Sequence, residues 1–294
     1  MNCDGLIDIV KTIEGKTDSE RRAVVLDYLS ALNIPHEVQT YNTGKNVIGT
    51  VKNLAGDPEI PIIGIGSHYD VVPCSPGAND NASAMAVTID VLRKVNNEPM
   101  KNIEVCGFFF DEEECGLKGS WAYIDRHGID RLIGVYNMEL VGSGDNLVFW
   151  TENKMHNGLL LKTIEDVASN KGVRNYCFPL ISRFLQNSGD QESFSNAGLK
   201  ETFCITAIPD KDIEMCLEYG LVNDSRFKTV GKVVGFARMA TKARNFDTNM
   251  LLESDLFKHY HQRSDTSRHL SDDVMQNLSD ILYESIQTID KKYS

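Results

Sequence analysis

No stretch of this 294-residue chain approaches the roughly 18 consecutive apolar residues that a bilayer-spanning helix needs. The first residues, MNCDGLIDIVKTIEGKTDSERR, lack a basic start followed by an apolar run and a small-residue cleavage site, so no secretory leader is read there. A cysteine framework is lacking as well. The seven cysteines (Cys3, Cys74, Cys106, Cys115, Cys177, Cys204 and Cys216) are odd in number, and no two are spaced as CxxC. That disfavours both a disulfide scaffold and a thiolate zinc knuckle, and reduced thiols in a cytoplasmic protein are the expectation. Basic charge is scarce: the net charge of −12 argues against nucleic acid and anionic membrane surfaces as partners. The acidity suits solubility, and would also suit cationic substrates. Repeats, low-complexity tracts and Pro/Gly/Ser linkers are missing too, so one domain is expected over 1–294.

What is present is 41% hydrophobic and 24% charged, the proportions of a globular domain, with the apolar residues dispersed in short segments. The opening region reads as helix, with Val25, Leu29 and Leu32 at helical spacing and start signals at Asp18-Ser19-Glu20. Strand-type segments follow at His36–Tyr41 and Asn46–Lys52. Pro61–Ser67 and Ile103–Phe110 are continuous apolar runs, as expected of strands covered on both faces. Ala82–Val95 carries an apolar stripe of Ala86, Ile89, Leu92 and Val95. Ser120–His127 and Leu159–Val167 read as helices, Leu132–Met138 and Thr202–Ile208 as strands. Ser271 caps a closing helix with Val274, Leu278, Ile281, Leu282, Ile286 and Ile289 on one face. Residues 211–249 read as a loop-rich excursion with one or two helices. Alternating strands and helices imply an α/β fold, a mixed, mostly parallel sheet with helices on both faces.

Polar residues gather at the ends of the apolar strands, where open α/β sheets place their sites. His68 closes one such strand, and Asp70 two residues on is placed to hold one imidazole nitrogen so that the other can bind a metal. Asp80, in Gly77-Ala78-Asn79-Asp80-Asn81-Ala82-Ser83, is either a helix N-cap or a ligand at a strand-to-helix corner. Asp111-Glu112-Glu113-Glu114 follow the apolar strand IEVCGFFF. Like charges massed at the end of a buried strand are costly without a cation, although a solvated acidic loop is the alternative. Glu139 ends another strand. In Tyr260-His261-Gln262-Arg263-Ser264-Asp265-Thr266, His261 is a ligand candidate with His259 as its competitor, since both can face the same side.

In this order, the segments resemble peptidase family M28, the co-catalytic aminopeptidases, within the clan that also holds M20 carboxypeptidases and deacylases. The resemblance rests on His68-Tyr69-Asp70, on GANDNAS at Gly77–Ser83 and EECGLKGS at Glu113–Ser120, then on NMELVG at Asn137–Gly142 and YHQRSDT at Tyr260–Thr266. It implies a zinc aminopeptidase fold and two Zn²⁺ ions, with Co²⁺ or Mn²⁺ also compatible with nitrogen and oxygen ligands. His68 and Glu139 would hold one ion, Glu114 and His261 the other, and Asp80 would bridge them. Glu113 would be the general base for the water between the ions, Asp70 would orient His68, and the Asp80–Asn81 bond would be cis. The implied activity is removal of N-terminal residues from peptide or aminoacyl substrates.

Three positions depart from the family pattern. Glu139 stands where Asp is usual, Gln191 stands where many relatives carry the His of Ser-Asp-His-x-x-Phe, and Ala84 replaces a frequent Gly. Rival readings are a single-zinc glutaminyl cyclase using Asp80, Glu114 and His261, an M20-type deacylase or carboxypeptidase suggested by HYDVVP at His68–Pro73, and a domain that has lost catalysis. The complete set of five ligands plus Glu113 favours two metals and hydrolysis.

Overall fold

The computed structural model describes residues 5–57, 59–151, 158–178, 189–213 and 254–293. Most of the excursion expected over 211–249 lies outside them. The chain begins with two helices rather than one, α1 (Leu6–Ile13) and α2 (Asp18–Ala31). Leu6, Ile9, Val10 and Ile13 give α1 its own buried stripe, and Gly15 at φ +72° separates it from α2. The start signal at Asp18-Ser19-Glu20 belongs to α2, where the Glu20 carboxylate accepts the Thr17 backbone N–H at 2.9 Å.

The remaining elements are β1 (His36–Thr40), β2 (Lys45–Val51), β3 (Ile62–His68), an irregular turn at Ala78–Ala82, α3 (Ser83–Asn97), β4 (Glu104–Phe110), α4 (Lys118–His127), β5 (Leu132–Met138), β6 (Asn146–Thr151), α5 (Leu159–Asn170), β7 (Arg174–Phe178), α6 (Gln191–Asn196), β8 (Thr202–Ile208) and α7 (Asp272–Lys292). Strands expected from apolar runs are present within a residue or two. β6, β7 and the short α6 were not foreseen; each is brief, and β6 and β7 draw their stability from pairing with each other and with β8.

The eight strands form one sheet in the order β1-β2-β4-β3-β5-β8-β6-β7. β3 pairs in parallel with both β4 and β5, β5 with β8, and β6 with β7, while β1/β2, β2/β4 and β6/β8 are antiparallel. The mixed, mostly parallel sheet is therefore as expected. Alternation along the strands sorts the two faces. Ile63, Ile65 and Phe109 join a core with α1, α3, α5 and α7, whereas Phe108 and Phe110 pack with Tyr123 of α4 and Phe194 of α6. Gly64 faces the second side because a Cβ there would lie 2.4 Å from the Phe108 ring. Among the described residues, no helix is long and apolar enough to cross a membrane.

The chain leaves β3 toward β4 on one side, then returns past β3 to β5 on the other. That reversal opens a crevice beyond the C-terminal end of β3, the usual place for a site in such sheets. His68 ends β3, the acidic run begins just after β4, and Glu139 follows the last residue of β5.

Candidate metal centre

His68 is 1% exposed, and its two ring nitrogens face different partners. Nδ1 lies 3.1 Å from the Asp70 carbonyl oxygen and 3.2 Å from Asp70 Oδ1. Both are acceptors, so Nδ1 carries a proton and Nε2 is the nitrogen left for a ligand's role. Nε2 lies 3.2 Å from Asp80 Oδ1 and 3.3 Å from Glu139 Oε2. Asp70 does more than orient the ring: its Oδ1 and Oδ2 accept the backbone N–H groups of Glu113 and Glu114, each at 3.1 Å.

Asp80 is buried in the turn between Gly77, which sits at φ +62°, and α3. The Asp80–Asn81 peptide bond is cis, as expected. While Oδ1 faces His68, Oδ2 lies 3.2 Å from His261 Nε2, which is itself 3.1 Å from Glu114 Oε1. One carboxylate thus faces two separate imidazole–carboxylate pairs. Ligand-type atoms of His68, Asp80 and Glu139 all lie within 4.8 Å of one another, as do those of Asp80, Glu114 and His261 and those of His68, Glu113 and Glu114.

His261 prevails over His259. It sits at φ +57° with its ring stacked on Tyr260, centroids 3.7 Å apart, which turns Nε2 toward Asp80 and Glu114. His259 instead stacks on His269 at 4.0 Å and its Nδ1 pairs with Ser264 Oγ at 2.9 Å. Asp111 and Glu112 also turn away. Asp111 Oδ2 accepts the Lys45 N–H at 2.8 Å, and Glu112 pairs with Thr43 and Lys118.

The charges of the cluster are out of balance. Burial raises Glu113 well above the usual carboxylate range, and the charges of Glu139, Asp190 and Glu114 push the same way against the opposing pull of His68. Glu139 is raised too, by burial and then by Asp80 and Glu114, with His68 again opposing. Burial works against a charged His68 and a charged His261. The neighbouring carboxylates overcome it, raising His68 well above its ordinary value and His261 to about 9. Asp80 is lowered despite its burial, by hydrogen bonds from His261 and His68. Buried, crowded carboxylates whose charged forms lack enough counter-charge fit a site made for cations. The donor set fits as well. Each half offers one imidazole nitrogen and carboxylate oxygens, which are the ligands of zinc-type ions.

Several further residues shape the site without having been read as ligands or bases in the sequence. Asn81 Nδ2 donates to Glu139 Oε2 at 2.6 Å, and Asn137 Nδ2 lies 3.3 Å from Glu139 Oε1 and 2.9 Å from Gln191 Oε1. Arg21, wholly buried, sends its guanidinium to the carbonyl oxygens of Pro76 and Gly77 at 2.6 and 3.2 Å. Its sequence signal was its place at i, i+4 and i+7 with Val25 and Tyr28, on the buried face of α2.

A doubly-wound type of sheet with an imidazole–carboxylate cluster shared around one aspartate defines the class: an α/β protein with a candidate two-ion centre. The model of peptidase family M28 matches residues 46–286, and the chain belongs to that family. The aminopeptidase YwaD of Bacillus subtilis (strain 168) is 35% identical over 107 residues, which is 35% of this chain and 23% of YwaD. The chain therefore spans under a quarter of that relative. BSAP, a zinc aminopeptidase from Bacillus subtilis, superposes with a TM-score of 0.59 at 21% identity, over 84% of this chain and 50% of that one. Glutaminyl cyclase from Porphyromonas gingivalis gives a TM-score of 0.65 at 15% identity, over 97% of this chain and 98% of that one. At those identities the two superpositions show the fold alone.

Proposed function

We propose that this chain is a zinc-dependent exopeptidase that hydrolyses the N-terminal peptide bond of peptide or aminoacyl substrates. The observation that carries the reading is the division of Asp80, with Oδ1 toward His68 and Glu139 and Oδ2 toward His261 and Glu114. In this reading His68, Glu139 and Asp80 hold one ion and Glu114, His261 and Asp80 the other. Bound there, the two ions would polarise the scissile carbonyl and lower the pKa of attacking water toward about 7.

The chain's own residues do the rest. Glu113 takes the proton of the attacking water onto a carboxylate oxygen and delivers it to the nitrogen of the departing amine, so that water and the peptide bond become an acid and an amine. Its place beside His68 and Glu114 puts that oxygen next to both halves of the centre. Asp70 keeps Nδ1 of His68 occupied and fixes the backbone of Glu113 and Glu114, so one side chain positions the base and a ligand from each half.

A second reading, a glutaminyl cyclase with one zinc on Asp80, Glu114 and His261, is favoured by the near-complete mutual coverage with the Porphyromonas gingivalis enzyme. His68 and Glu139, gathered on the other side of Asp80, favour hydrolysis instead. Metal analysis of the purified protein, combined with aminoacyl-amide, N-blocked peptide and glutaminyl-peptide substrates, separates the two. Two ions per chain with cleavage of unblocked substrates alone is the expected result. One ion with release of pyroglutamate would overturn it.

A further inference from the structure

The geometry points to Gln191 as a positioning residue for the His68 half of the metal centre, acting through Asn137 on Glu139. It rests on the metal-centre reading above and adds to it a residue that reaches a ligand only through a second side chain.

Glu139 has one more torsion than the aspartate usual at its position, and each free torsion costs entropy when a ligand must be held in place. Two amides restrain it. Asn81 Nδ2, itself anchored on the Met138 carbonyl at 2.9 Å, holds Oε2 at 2.6 Å. Asn137 Nδ2 reaches Oε1 at 3.3 Å. The orientation of the Asn137 amide needs its own cause, because its two ends differ only in which one donates. Gln191 Oε1 supplies it: of the two ends of the Asn137 amide only the nitrogen can donate to a carbonyl oxygen 2.9 Å away, so the second N–H of Asn137 is directed at Glu139.

The surroundings are shaped to this chain of contacts. Asn137 and Gln191 are buried, at 0% and 1% exposure. Two glycines make room for them. A Cβ on Gly189 would lie 2.5 Å from Gln191 Oε1 and 3.0 Å from Asn137 Nδ2, and one on Gly66 would lie 3.0 Å from Asn137 Oδ1. The amides stay neutral at every working pH, so Glu139 gains donors without another charge entering the cluster. The two departures noted at 139 and 191 are thus the two ends of one hydrogen-bonded chain. The longer acid is matched by an uncharged acceptor that fixes its restraining amide.

Titration of metal-free protein with Zn²⁺ or Co²⁺, followed by calorimetry and by Co²⁺ absorption, tests this without using turnover. Wild type is expected to take up two ions. Gln191→Leu, which removes the acceptor, is expected to weaken one of the two sites about tenfold and leave the other unchanged. Gln191→Met, which matches the glutamine in length but offers no carbonyl oxygen, is expected to show the same one-sided loss. Should the leucine variant not fold, Gln191→Asn withdraws the oxygen by one methylene and is expected to show the same one-sided loss. Wild-type uptake in the leucine, methionine and asparagine variants overturns the inference and leaves the metal centre standing, as does equal weakening of both sites. A wild-type protein that takes up fewer than two ions overturns both.

Discussion

The carboxylate of Asp265 accepts the backbone N–H of Asp80 at 3.1 Å, and with its other oxygen the N–H of Asn79 at 2.8 Å. A residue four places beyond His261 therefore grips the main chain of the aspartate that faces both halves of the centre. Arg21 also holds this segment, through the Pro76 and Gly77 carbonyls. Asn79 Oδ1 in turn accepts the N–H of Gly142, just past Glu139, at 2.8 Å. Three segments that carry candidate ligands are thus tied together by the protein's own hydrogen bonds, which is the condition for a preorganised site.

Asp265→Ala is accordingly expected to cost about 2–3 kcal/mol of stability, because two buried N–H groups lose a charged acceptor. Urea unfolding of metal-free protein measures it. A loss within about 0.5 kcal/mol, the range of an ordinary surface substitution, would show the clamp to be dispensable.

Glu113→Gln is expected to keep both ions and lose about 10²–10⁴-fold in turnover, the contribution of a positioned proton-transfer group. The amide matches the carboxylate in shape but cannot accept the water proton. Retention of more than about a tenth of wild-type kcat would remove Glu113 from that role.

His261→Ala is expected to lose one metal equivalent, and His259→Ala none. The first removes the nitrogen 3.2 Å from Asp80 and 3.1 Å from Glu114, whereas the second removes a ring that stacks on His269 and pairs with Ser264. Counting ions per chain in the two variants checks it.

Acid stability tests a cluster outside the candidate metal centre. On α3, Asp90 receives Ser279 Oγ of α7 at 2.6 Å and Lys94 Nζ at 2.9 Å. Burial alone would raise its pKa, but these partners and Arg93 hold it below the ordinary 3.8. A depressed folded-state pKa contributes stability above the unfolded value, and that contribution disappears as pH falls through the folded one. Asp90→Asn is expected to lower stability by about 1–3 kcal/mol at pH 7, with the gap to wild type closing below pH ~3.8. A gap that is the same at both pH values would show the charge to be irrelevant.

Much of this was legible along the chain. Continuous apolar runs foretold β3 and β4, helical spacing foretold α3 and α7, and acids and histidines at strand ends marked the chemistry, because burial periodicity is local and survives without coordinates. β6, β7 and α6 were not legible, since short elements are defined by their partners rather than by their own pattern. The roles of Asp265, Arg21, Asn137 and Gln191 were hidden for the same reason: each depends on a hydrogen bond to a residue distant in sequence, that of Asn137 on its bond to Gln191.

By itself, then, the order of residues determined which groups are available: the imidazoles, the carboxylates and the sheet that carries them. Only the tertiary structure decided which of two histidines turns inward, that Asp80 divides its oxygens between two partners, and that Glu139 leans on Gln191 through Asn137. Those outcomes depend on directions and distances between segments up to 186 residues apart, as in the bond from Asn79 to Asp265, and no local spacing encodes them.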